Sequence, residues 1–194
     1  MKLLIPSVLA AVALTLPVRA DEVSDNLKTA AAAYEAGNYS EALQAVDYAG
    51  QLIRQKKAEA VAALLPAGPS GWTAEEAQSE AAAAALMGGI VTAKRSYTKG
   101  DSNVTIQIQS DSPLLQTYGM MFSNPALLAG SGAKLETIKG QRVAVTYKAA
   151  DKSGDIKAVV DNRYVVTVEG NGVTREELTS FIVALDPAKL AKLK

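Results

Sequence analysis

At Ile90 the spacing of apolar residues changes, and that change divides the chain into two kinds of structure. Before it, apolar residues recur three, four or seven apart, the period of a helix with one buried stripe. Leu43, Val46, Ala49, Ile53, Ala60, Val61 and Leu64 follow that rule. After it, Val104, Ile106 and Ile108 alternate strictly with Thr105, Gln107 and Gln109, the period of a strand with one dry face and one wet face. The chain must therefore build a helical part first and a sheet second.

The helical part reads as a hairpin. Ser24 or Asp25 caps a first helix carrying Ala30 to Ala33, and Gly37-Asn38 stops it. Ser40 caps a second helix that runs to Leu65, about 39 Å at 1.5 Å per residue. So short a connection makes the two helices antiparallel neighbours. Pro66 to Gly71, with two prolines and two glycines, reads as a flexible linker closed by Trp72. Thr73-Ala74-Glu75-Glu76 has the form of a capping box, with Trp72 as its hydrophobic staple, and predicts an alanine-rich helix ending near Gly88-Gly89.

Six strands follow, over residues 90–98, 104–110, 135–138, 141–149, 156–160 and 163–168. Lys139-Gly140, Asp151 to Asp155 and Asp161-Asn162 are hairpin-type turns, so the strands they join pair antiparallel. Ser112-Pro113 opens a helix broken at Asn124-Pro125. Thr174 to Glu177 is a second capping box, and Asp186-Pro187 starts a short terminal helix. The expected fold class is α+β: an N-terminal helical hairpin, then an antiparallel sheet of about six strands covered by helices on one face. The expected division is 1–20 signal peptide, 21–65 helical hairpin, 66–72 linker and 73–194 α+β domain.

The signal assignment rests on Lys2, the apolar run Leu3 to Leu16, Pro17 and then Val18-Arg19-Ala20. The run is shorter than the roughly 20 residues that span a bilayer, and the acidic Asp21-Glu22 follows it. Cleavage after Ala20 is expected, giving a periplasmic protein with no integral membrane segment. With no cysteine after the leader, there is no site for a lipid anchor.

The 194 residues contain no His and no Cys. Disulfides, the common zinc ligands, a thiol nucleophile and the usual general base are thereby excluded. A formal charge of zero lacks the basic footprint of a nucleic-acid binder. Ser96-Tyr97-Thr98-Lys99 and Ser131-Gly132-Ala133-Lys134 fit S-x-x-K, and Ser24-Asp25-Asn26 fits S-D-N. The order is reversed from that of penicillin-recognising enzymes and K-T-G is absent, so these read as chance matches. Asp151 to Asp155 has its glycine at the wrong position for a calcium loop. No cofactor or metal site is expected.

Ala33 to Leu43 resembles the turn of a tetratricopeptide repeat, with Gly37, Tyr39, Ala42 and Ala49 at that motif's spacing. The early Trp and Gly positions and the closing Pro are missing, and only one unit is visible, where about three are needed for a continuous core. Tyr48 to Glu59, with Leu65-Pro66 and Gly71-Trp72, resembles a family of exported proteobacterial proteins of unknown function. The strand order after Gly89 resembles small PsbP/Mog1-like α+β domains. These resemblances imply a bacterial periplasmic setting and carry no catalytic residues.

The expected role is a non-catalytic accessory protein that binds a protein or peptide, a second copy of the chain included. The expected contact residues are Leu43, Val46, Ile53, Arg54, Lys56, Lys57 and Trp72. The alternatives are a carrier of a small apolar ligand held between helices and sheet, and third, a carboxylate-dependent hydrolase.

Overall fold

The computed structural model describes residues 21–81, 90–110, 112–124, 128, 130 and 132–193. The signal segment, Ser131 and the expected helical residues 82–89 lie outside them.

Helix α1 (Glu22–Glu35) and helix α2 (Tyr39–Ala62) form the expected antiparallel hairpin. Their N-cap positions are Asp21 and Asn38, and Ser24, Asp25 and Ser40 fall inside the first turns instead. The turn between them is a Schellman motif. Asn38 N donates to Ala33 O at 2.8 Å and Gly37 N to Tyr34 O at 3.1 Å, with Gly37 at φ +76°.

Strands β3 (Val91–Lys99), β4 (Ser102–Ser110), β5 (Lys134–Ile138), β6 (Gln141–Lys148), β7 (Ser153–Val160) and β8 (Tyr164–Asn171) are the six expected from alternation. Two short strands, β1 (Thr73–Ala74) and β2 (Gln78–Ala81), join them along the outer edge of β3. The expected helix at Thr73 is thus replaced by strand. β1 and β2 share one bulged edge: the pairing Ala74↔Tyr97 is followed by Gln78↔Lys94, so one extra residue sits on the outer side. Glu75 N still donates to Ser96 O, at 2.9 Å. A cap and several alanines favour helix by about a kcal/mol or less each, whereas β3 would otherwise leave a whole row of backbone groups unpaired. The sheet wins.

Every pairing is antiparallel, in the order β1/β2, β3, β4, β8, β7, β6, β5. The chain therefore leaves the centre of the sheet after β4, crosses to the far edge at β5, and returns by a meander until β8 pairs with β4. Helix α3 (Leu114–Ser123) lies on that crossover. Helices α4 (Arg175–Ala184) and α5 (Pro187–Lys192) close the chain. The Thr174–Glu177 capping box is present in both directions, and Asp186 caps α5.

Helices cover both faces of the sheet, not one. Val143, Val145, Ala158 and Val160 point to the main core with Leu178, Phe181, Ile182, Leu190 and the end of α2. Ala144 and Val159 alternate with them and point the other way, against Phe122 and Tyr118 of α3. The β6 and β7 runs are apolar at consecutive positions (Val143 to Val145, Ala158 to Val160), as a strand buried on both sides requires.

Pro66 to Trp72 is tied down rather than loose. Arg95 Nη1 donates to Leu65 O and to Pro66 O, both at 3.0 Å, on the segment just beyond the end of α2. Tyr97 Oη donates to Pro66 O at 2.7 Å. Burial pushes the Tyr97 hydroxyl up to about 12, against the lowering influence of Arg95. Gly68, at φ +96°, passes so close that a Cβ there would lie 2.9 Å from the Tyr97 ring. Val61, Ala62 and Leu65 belong to the main core, so α2 is anchored in the sheet layer by its last turns.

Candidate functional site: an apolar groove on the helical hairpin

The hairpin sorts its residues by size in an unusual way. Its seam is made of Val23, Ala30 and Ala33 from α1 and Ala42, Ala45 and Ala49 from α2, all buried. Small side chains, with Val23 at one end, let the two helices approach closely. The large apolar residues are displaced to the outside: Leu27, Tyr34, Tyr39, Leu43 and Val46 expose 47, 67, 63, 65 and 49 % of their surfaces. Scattered exposed leucines need no explanation, but a contiguous set on one element does.

These residues are contiguous. Leu27, Ala30, Ala31 and Tyr34 of α1 face Tyr39, Ala42, Leu43 and Val46 of α2 across an open groove of about 510 Å³. The Tyr34 and Tyr39 rings close one end, with centroids 5.7 Å apart and planes tilted by 58°. The walls are aliphatic and phenolic. Such a surface can desolvate apolar side chains.

Leu43 and Val46 lie in this groove. Ile53 is 48 % exposed two turns further along α2, outside the groove. Arg54 folds back over Gly50, where a Cβ would lie 3.3 Å from its Nη1. Lys56 pairs with Asp21 at 3.5 Å, and Lys57 is half-buried. Nearby, Glu22 accepts a hydrogen bond from the Tyr48 hydroxyl at 3.0 Å, which raises the Tyr48 pKa. Trp72 is far from the groove in role: its ring packs edge-on against Phe181, centroids 4.9 Å apart, and Lys99 lies 5.9 Å above it. It is a core aromatic ahead of a strand, not a staple ahead of a helix.

Reading along α2 alone missed the α1 half of the groove. Leu27, Ala30, Ala31 and Tyr34 carry the necessary signal, an i, i+3, i+4, i+7 stripe. Ala42, Ala45 and Ala49 of α2 are buried in the seam with α1. Among the described residues, no three His, Cys, Asp or Glu side chains are grouped so as to hold a metal ion, and no helix is long and apolar enough to cross a membrane. Compared with models of known protein families, with curated proteins and with solved structures, the chain matches none.

Proposed function

We propose that this is an exported, non-catalytic accessory protein of the bacterial periplasm that holds a partner polypeptide in the α1/α2 groove. The observation that carries the reading is the row Leu27, Tyr34, Tyr39, Leu43 and Val46, left in water by a hairpin whose own seam is alanine. An amphipathic helix is the natural occupant of a groove between two helices, read through anchors spaced i, i+3/i+4, i+7. A single repeat-like unit gains the neighbour it lacks when such a helix lies down on it.

The test is site-specific photo-crosslinking in the exporting cell. A photoreactive residue at Leu43 should give one discrete adduct, and the same residue at the exposed Gln44 should not. The adduct should vanish when Val46→Asp is added. Equal crosslinking from both positions, or an adduct indifferent to Val46→Asp, sinks the reading.

A further inference from the structure

We infer a second binding site, for an aliphatic carboxylate, in the cleft between α4, α5 and the β5 end of the sheet. The inference does not rest on the hairpin: α2 docks at the β3 end of the sheet, and this cleft lies toward the other edge. Its volume is about 380 Å³, within the roughly 300–1,000 Å³ range of small-molecule sites. Ile138, Val160, Val166, Ile182, Leu185 and Leu190 give it an aliphatic wall, and among the described residues no aromatic ring lines it. A slender saturated chain matches such a wall better than a flat ring that seeks a stacking partner.

The polar groups at the cleft decide the head group. Gln141 is engaged, its Nε2 donating to Val159 O at 2.9 Å. Asp186 is engaged as well: its Oδ1 accepts from Ala188 N at 3.0 Å and Lys189 N at 3.3 Å, capping α5. Lys139 is exposed, has no side-chain partner among the described residues, and lines the same cleft. Its backbone is unusual too. Lys139 sits at φ +48° as the first residue of a two-residue turn, followed by Gly140 at φ +79°. Asn, Asp and Gly are the ordinary occupants of that position, and a lysine there is strained by roughly 1 kcal/mol. Lys152, before β7, has a similar φ of +46°, and the three-residue β7–β8 connection uses Asp161 and Asn162, at φ +51° and +49°. An unpaired ammonium at the rim of an aliphatic cleft whose other polar side chains are engaged matches a carboxylate on Lys139 with its chain laid along Ile182 and Leu190.

The probe is decanoate, with decanol and decyltrimethylammonium as controls, each titrated below its micellar concentration into the full mature chain. Methyl resonances of Ile138, Ile182 and Leu190 report occupancy, and calorimetry reports stoichiometry. One equivalent of decanoate should bind saturably and shift those methyls while leaving Leu43 unmoved. Lys139→Ala keeps the same backbone cost and should weaken decanoate about tenfold while leaving decanol unchanged. Non-saturating shifts, preference for the cationic probe, or an undiminished decanoate affinity in Lys139→Ala would each overturn the assignment. Ile182→Trp, which fills the cleft, should abolish binding of decanoate and decanol alike; a folded Ile182→Trp chain that still binds decanoate overturns it too.

Discussion

The far half of the hairpin and the sheet layer follow opposite rules for the same residue types. In the sheet layer, large side chains go inside: Tyr97, Tyr164, Phe181, Ile106, Ile108, Ile156 and Leu178 are fully buried. In the hairpin, alanines go inside and Leu27, Tyr34, Tyr39 and Leu43 stay out. Burying a large apolar side chain contributes about 1.5–3 kcal/mol, and a methyl group about 0.8. The first region is therefore built for stability, while the second holds apolar surface in reserve. A region that packs weakly on itself and exposes its large residues is suited to contact with something else.

The contrast should be plainest in amide hydrogen exchange. Amides of α1 should exchange at least about a hundredfold faster than those of β4 and β8, because local opening of the alanine seam exposes little apolar surface. Equal protection in the two regions would break the comparison. Within the sheet layer, Phe181→Ala removes the ring that both Trp72 and Tyr97 pack on, each at a centroid distance of 4.9 Å. It should cost about 3–5 kcal/mol in denaturant unfolding. A loss under about 1 kcal/mol would show that this cluster is not the keystone of the core.

Gly154→Ala probes packing that tolerates no added atom. A Cβ at Gly154 in β7 would lie 2.3 Å from Thr146 O and 2.9 Å from Tyr147 Cα, both backbone. The strands must separate locally, at a cost of about 1–3 kcal/mol. The same change at Gly119, where nothing lies within 4 Å, provides the matched control and should be stabilising or neutral.

Smaller effects are expected at the cap of α4. Thr174→Ala removes the oxygen that accepts from Glu177 N at 3.1 Å and should cost about 1 kcal/mol. Hydrogen bonding from the Thr174 backbone, then from Lys99, lowers the Glu177 pKa. A lowered folded-state value means that the stability it contributes is present above the unfolded carboxylate range and is lost as pH falls through the folded value. The stability gap between wild type and Glu177→Gln should accordingly be widest at neutral pH and close as the pH falls below the ordinary carboxylate range and through the lowered folded value. A gap that grows in acid would reverse the assigned sign. Last, Val46→Asp with Ile53→Asp should alter stability by no more than about 0.5 kcal/mol, since both side chains are half in water already. A large loss would mean that the stripe serves internal packing, contrary to the exposures seen.

Much of this was legible along the chain because the signals were local and strong. The alternation in β4, the Lys139-Gly140 and Asp161-Asn162 turns, the Gly37 stop and the Thr174 box each act within a few residues. The six central strands and the hairpin followed from them. Leu43 and Val46 were legible as a stripe, though not as half of a groove, because Tyr34 and Leu27 become their neighbours only once α1 folds back.

What the sequence by itself determined is the alphabet of elements and the chemistries closed to a chain without His or Cys. The tertiary structure alone decided three things. It turned Thr73 to Ala81 from helix into a bulged edge strand, because β3 offered unpaired backbone that local propensity could not outweigh. It placed α3 on the second face of the sheet, because the crossover from β4 to β5 must pass over β8, β7 and β6. It also set alanines against alanines in the hairpin and left the larger residues outside. Which of two apolar faces turns inward depends on how closely the helices can approach, and that distance is a property of the packed pair rather than of either helix alone.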